Sequence, residues 1–325
     1  LQLYSSGVMI MDKCPDLLPD HFSFVQGIVD TPDLSLNISR EMLQHDRQLK
    51  IIANNIEKKV KNELVKLMKD DRTKYEQFWA AFGMQFKYAL MNSYGQNRDT
   101  IRDLLLFWSS KENKLTSLKE YVDRMPESQE KIYYVCADSV EHASKMPQAE
   151  RVLKAGYEVL YLTVDEDEIV LQMLENAYDK PFVSVASEDA LPVTDAEKAT
   201  VEQAEKDHKA LLDFAQETLK GEVSKVRISK ILQSGAVCLT AEGPVSLEME
   251  KYFHKMRRDF PMSAQRVLEL NPDAPAFQAL CKAYEEDKEK AAAYVEVLYN
   301  QALIIADLPL PDPAWYAELV CGLMK

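Results

Sequence analysis

The sequence predicts a mixed fold, α/β passing into α+β, and three observations carry that expectation. Between residues 116 and 186, short β-branched and aromatic runs alternate with helical stretches, the order expected of a small parallel sheet. Residues 39–115 instead carry successive apolar stripes at helical spacing. Beyond residue 199, strands and helices follow one another without regular alternation.

Taken in order, residues 1–38 read as a strand, "QLYSSGVMIM", a loop with turn signals at "DLLPDH", and then "FSFVQGIVD" before a Pro-containing loop. This is the pattern of the end of a larger α/β unit. Residues 39–115 predict a three-helix spacer. Its first helix carries Ile52, Ile56, Val60, Leu64 and Met68, its second Tyr75, Phe78, Trp79, Phe82 and Phe86, and its third Ile101, Leu104, Leu105 and Trp108. In residues 116–186 the strands are "KIYYVCA", "EVLYLT" and "PFVSVA", separated by a helix near 141–154 and by "DEIVLQMLENAY". Residues 187–198, "SEDALPVTDAEK", have the polar, Pro-containing composition of a linker. Residues 199–325 predict a charged helix to about 219, a strand pair "SKVRISKIL" and "AVCLTAE" turning at Ser234 and Gly235, and helices to the end.

Composition removes several function classes. A net charge of -14 argues against nucleic acid as the main ligand, because phosphate binding needs clustered Lys and Arg. No apolar run reaches the roughly 18–20 residues that span a bilayer, and the first residues lack the charged head of a signal peptide. The five cysteines are scattered and never form CxxC, and the five histidines are equally dispersed, so neither a metal site nor a local Cys/His catalytic pattern is expected. These features predict a soluble, cytoplasmic protein in a reducing compartment. With nine glycines, no GxGxxG or GxxxxGK[ST] phosphate cradle occurs. The chain starts at Leu1 inside a strand-like run, which suggests a piece of something longer.

Three stretches are candidates for function. In "DLSLNISREMLQHDRQLK", Asn37 and Ser39 are N-cap candidates, so Arg40 falls in a first helical turn, where a cation opposes the helix dipole. Such an arginine calls for a negative partner, either Asp33 or another nearby carboxylate, or a group from outside the segment. In "SLEMEKYFHKM", Met249, Tyr252, Phe253 and Met256 form one stripe with Leu247 at its edge, suited either to a core or to adaptable contact with varied apolar partners. At the C-terminus, Val295, Val297, Leu298, Ala302 and Ile305 on one helix, and Trp315, Tyr316, Leu319, Val320 and Leu323 on the next, offer more apolar surface than two short helices can hide. A symmetric homodimer through a four-helix contact, or an intradomain core, would cover it.

The segments "DLLPDHFSFVQGIVDTPDLSLNISREMLQ", "KYEQFWAAFGMQFKYAL", "LLLFWSS", "SLKEYVDRM", "KIYYVCADS", "RVLELNPDAP" and "LYNQALIIADLPLPDPAWYAELV" resemble, in order, the ninety-kilodalton heat-shock chaperones, and within them the bacterial type. The resemblance covers the later middle domain, whose large subdomain would end near residue 38, its small subdomain, and the C-terminal dimerisation domain. It implies that an N-terminal ATP-binding domain belongs to the full-length protein, which would hydrolyse ATP with magnesium, while this part alone would bind no cofactor. It further implies that Arg40 reaches the γ-phosphate of ATP in that domain, with Gln44 as a second contact and Asn37 and Glu41 positioning the loop. Expected partners are a second copy of the chain, the N-terminal ATPase domain, and unfolded or partly folded client proteins, with no nucleic acid and no membrane.

The sequence departs from the family pattern at Ser35, where Pro is often found, at Leu106, where Arg is common, and at Ala137, where Gly is usual. Ile169 occupies the position at which some relatives expose a Trp, so a client contact there would be aliphatic. A second reading of the chain is a non-enzymatic dimeric α/β scaffold or adaptor, with Arg40 purely structural.

Overall fold

The computed structural model describes residues 1–34, 47–187, 190–192, 194–256 and 263–324. The chain divides into two compact units. One comprises Leu1–Leu106 with Ser117–Lys119, the other Phe107–Thr116 with Glu120–Lys325.

In the first unit, β1 (Gln2–Ser5) lies between β2 (Val8–Met11) and β3 (Ile28–Asp30), antiparallel to the former and parallel to the latter. The β1–β2 turn needs two successive left-handed residues, Ser6 (φ 50°) and Gly7 (φ 79°), which suits a hairpin whose turn must match the strand twist. The Asp30 carboxylate fixes it by accepting from the Gly7 amide at 3.1 and 3.2 Å. Helices α1 (Arg47–Asp70) and α2 (Arg72–Asn92) are separated by Asp71, whose side chain caps α2 through the Lys74 amide at 3.1 Å. Tyr75 is fully buried and donates to the Leu104 carbonyl at 2.5 Å, while Phe24, Phe78, Phe82 and Phe86 pack ring on ring.

The predicted third helix is cut short. Only α3 (Arg98–Ile101) and a 3-10 turn over Arg102–Leu104 form, and Trp108 lies in β4 (Leu106–Ser109). The continuous apolar run "LLLFW" carries no periodicity to separate helix from strand, and a turn at Asn113 (φ 52°) leads into β5 (Lys114–Ser117).

Beyond α4 (Leu118–Arg124), the second unit alternates β6 (Ile132–Cys136), α5 (Val140–Ala143), α6 (Glu150–Lys154), β7 (Val159–Leu162), α7 (Asp167–Leu174), β8 (Asn176–Ala177) and β9 (Lys180–Ser184). The single helix expected near 141–154 is broken by Pro147, which starts a 3-10 turn. The sheet order is β5-β4-β7-β6-β9-β8, with β7, β6 and β9 parallel. Tyr133, Val135, Ala143, Ala149 and Val152 share one core on one face. On the other face, Tyr134 donates to Glu168 of α7 at 3.1 Å.

The remaining elements are α8 (Asp195–Asp207), opened by a Thr194/Glu197 capping box, α9 (Lys209–Thr218), β10 (Lys225–Ile228), β11 (Val237–Glu242), α10 (Leu247–Met256), β12 (Gln265–Leu270), α11 (Pro275–Glu286), α12 (Lys288–Ile305) and α13 (Pro313–Gly322). The expected β10–β11 pair does not form. β12 separates them, parallel to β10 and antiparallel to β11. "QRVLEL" conceals a central strand because Glu269 sits inside it, only 1% exposed and neutralised by Arg227 at 2.6 Å. Leu239, Leu268, Phe277, Leu280, Val295 and Tyr299 belong to the core of this part.

Candidate functional site

Asn37, Arg40, Glu41 and Gln44 lie outside the described residues. Their flanks are fixed within the first unit. The Ser5 hydroxyl donates to the Leu34 carbonyl at 2.6 Å, and Leu34 and Leu49 are buried with Leu3, Cys14 and Leu17. Asp33, the carboxylate considered as a local partner for Arg40, accepts from Gln48 Nε2 at 3.3 Å.

Helix α10 follows a loop in which Gly243 adopts φ 82°, a conformation costly for any side chain. Ser246 then joins two elements: its hydroxyl donates to Glu168 on α7, and its oxygen caps the Met249 amide at 3.0 Å. Lys255 reinforces the contact through Asp165 at 2.5 Å. The buried face of α10 is carried by Glu250, which accepts from the Ala264 amide at 2.8 Å and pairs with Arg266 at 2.7 Å. Met249, Tyr252 and Phe253 are half-buried, and Met256 is 71% exposed. The stripe therefore stays at the surface. Ile169, by contrast, is buried, because α7 is covered on every side from Asp167 to Leu171.

Burial raises the pKa of the Glu168 carboxyl, opposed by the Ser246 hydrogen bond and assisted by the nearby Glu248 charge. Burial raises the Glu248 carboxyl as well, against the pull of Lys251 at 3.0 Å.

The predicted dimerisation residues separate into two groups. Leu298, like Val295, belongs to the intradomain core. Ile305, Leu319 and Leu323 are half-buried and Trp315 is 43% exposed, and no residue of α13 is buried although most of its length is apolar. Asp312 and Pro313 start that helix cleanly, the Asp312 carboxylate accepting from the Trp315 amide at 2.9 Å. Ile304 and Met324, which sequence reasoning passed over, add exposed apolar area at 49% and 78%. Ile304 sits beside the predicted Ile305, and only its side-chain direction distinguishes it. Among the described residues there is no cluster of His, Cys, Asp and Glu that could hold a metal ion, and no helix long and apolar enough to cross a membrane.

Fold and surfaces together define a mixed α/β protein whose described candidate sites are helix faces. The chain belongs to the Hsp90 family: the family profile, described as Hsp90 protein, matches residues 1–325. It is 52% identical over 324 residues to the chaperone protein HtpG of Bacillus subtilis (strain 168), 52% identical over 324 residues to that of Oceanobacillus iheyensis, and 50% identical over 325 residues to that of Clostridium botulinum (strain Langeland). In each comparison the whole of this chain is covered but only 52% of the relative, so the chain spans about half the length of the curated relatives it matches.

Proposed function

We propose that this chain is the middle and C-terminal part of an ATP-dependent molecular chaperone that binds and remodels unfolded or partly folded proteins. The observation that carries the reading is the family match along the entire chain, at about half identity to chaperones of the HtpG type. ATP and magnesium would be held by a domain outside this chain. Arg40 and Gln44 would meet the γ-phosphate, a guanidinium fork being suited to phosphate oxygens whose charge spreads in a loose transition state. Asn37 and Glu41 would position that segment.

The finer division of labour follows the same reading. Residues 1–38 end the large middle subdomain, 39–115 form a spacer whose last residues, from β4 on, join the sheet of the next region, 116–186 the small middle subdomain, 187–198 a linker, and 199–325 the dimerisation domain. The uncovered face of α13, with Trp315 and Leu319, and Leu323 just beyond it support a homodimer, Ile305 lying at its margin. The half-exposed stripe of Met249, Tyr252, Phe253 and Met256 supports a client surface, since Met and aromatic side chains adapt to varied apolar partners.

Two measurements on the full-length protein test this. Arg40→Ala should leave ATP binding intact and slow hydrolysis by about 10²-fold, the scale of losing one electrostatic stabiliser. Unchanged turnover makes Arg40 structural, and a full-length protein without ATP turnover favours the scaffold alternative. Met249→Ser with Phe253→Ser should sediment as the same dimer yet suppress client aggregation less well. Undiminished protection removes α10 from the client surface.

A further inference from the structure

The small parallel sheet has a property that the chaperone reading does not use. From β6 the chain runs through α5 and α6 to β7 on one side, then through α7 to β9 on the other side of β6. Successive right-handed crossovers in opposite directions put their helices on opposite faces, as the separate surroundings of Tyr133 and Tyr134 bear out. The carboxyl ends of β6 and β9 therefore part at a topological switch point, the place where open α/β sheets hold their ligands.

A cavity of about 500 Å³ lies there, within the range of small-molecule sites. Cys136 and Ser184 line it from the strand ends, Glu168 from α7, and Arg227 and Glu242 from the C-terminal sheet. The loop through Gly243 to Ser246 borders it, so a bound molecule would touch both halves of the second unit.

The polar groups of the cavity select the ligand. Arg227 is its only lining cation among the described residues, and that guanidinium is engaged: Nη2 and Nε donate to Glu269 at 2.6 and 3.1 Å, and Nη1 to Glu242 at 3.3 Å. Against it stand the carboxyl groups of Glu168, Glu242 and Glu248, the last of which pairs with Lys251 at 3.0 Å. Gln148 also lines the cavity. It is 3% exposed, and its Oε1 has no hydrogen-bond partner among the described residues, an acceptor lacking a donor. An anion is excluded by this balance. A bare metal ion is disfavoured, since no ligand cluster of suitable geometry occurs among the described residues. Val135, Met146, Leu239 and Val245 supply apolar wall for a hydrocarbon body.

We propose that this switch-point crevice binds a small organic cation, an amine or guanidinium on a short aliphatic chain, whose N–H groups donate to Gln148 Oε1 and to the Glu168 and Glu242 carboxylates. The site adjoins the start of α10 at Leu247 and Glu248 but is distinct from α13, and its occupancy does not depend on the ATPase reading.

The test is calorimetric titration of the 325-residue chain with agmatine, using N-butylurea as the neutral counterpart and glutarate as the anion, alongside amide shift mapping by NMR. Agmatine should bind saturably at one site, perturb the amides of Ser184–Ser187 and Glu242–Leu247, and bind at least tenfold more tightly than butylurea or glutarate. Gln148→Leu and Glu242→Gln should each weaken it at least tenfold. Glu242 is partly exposed, so its variant serves if Gln148→Leu fails to fold. No saturable binding, equal binding of butylurea, or agmatine affinity indifferent to the variants overturns the proposal, the last outcome being diffuse attraction to an acidic surface.

Discussion

Of the four glutamates buried in the second unit, Glu250 pairs with Arg266 at 2.7 Å, and the other three divide into two that are treated alike and a third that is not. Glu269, 1% exposed, receives the Arg227 fork, the Ser229 hydroxyl at 2.7 Å and the Thr240 hydroxyl at 3.0 Å. Glu158, 6% exposed, receives Arg124 at 2.7 and 3.3 Å and the Ser109 hydroxyl at 2.6 Å. Glu168 is as buried as Glu158, yet among the described residues hydroxyls alone donate to it, from Tyr134 and Ser246. The first two are closed ion pairs that let a carboxylate in or beside an internal strand sit inside the fold. The third is a carboxyl left short of positive charge at the boundary of a cavity. A satisfied pair marks architecture, whereas an under-compensated acid marks a place where something can still change.

The largest expected effect comes from breaking the tighter pair. Arg227→Met should cost about 3–5 kcal/mol by leaving Glu269 uncompensated, seen as a fall of roughly 10 °C in thermal unfolding of the second unit. Adding Glu269→Leu should recover much of that loss, because the penalty belongs to the stranded charge. If the double variant is no better than the single one, the pair does more than neutralise itself. Arg124→Met should cost less, about 2–3 kcal/mol, since Arg124 is 26% exposed and water can reach part of the vacated volume. Equal losses at the two sites would erase the distinction in burial on which this ordering rests.

The same contrast explains what the sequence revealed. The alternation in residues 116–186 was legible because strand and helix periods are local, and the break at Pro147 was legible in principle from proline chemistry. β12 was not legible. Glu269 reads as a surface residue until Arg227, 42 residues away, is known to meet it. Trp108 was misjudged because a run of apolar residues has no period to read. Of the candidate surfaces, the apolar excess of α13 was visible from residue types, but the burial of Leu298 depends on which side of its helix meets the core, and that of Ile169 on α7 being covered on every side. The arginine segment was marked by an electrostatic oddity in its first turn, and it lies outside the described residues. The switch-point crevice was beyond reach, because it follows from strand order in space.

The smallest expected effect is the one that isolates Glu168. Its folded-state pKa is raised above the ordinary 4.5, chiefly by burial, so folding favours the protonated form. Such a group contributes stability fully below pH 4.5 and loses it as pH rises through the folded value. Glu168→Gln mimics the protonated form: its one carbonyl oxygen accepts from one of the two hydroxyls, and its amide nitrogen donates to the oxygen of the other. At pH 7 the variant should be as stable as the parent or slightly more so, by under about 1 kcal/mol, whereas loss of either closed pair is costly. As pH falls towards 4.5 the parent should gain on the variant until the difference levels off. Glu248, shifted in the same direction, remains in both proteins and cancels to first order in the comparison. Chemical denaturation at a series of pH values provides the measurement. A variant that loses several kcal/mol at pH 7 would show that ionised Glu168 is a structural anchor like Glu269. A difference independent of pH would show that its carboxyl does not titrate in this window, and the contrast between the three glutamates would fail.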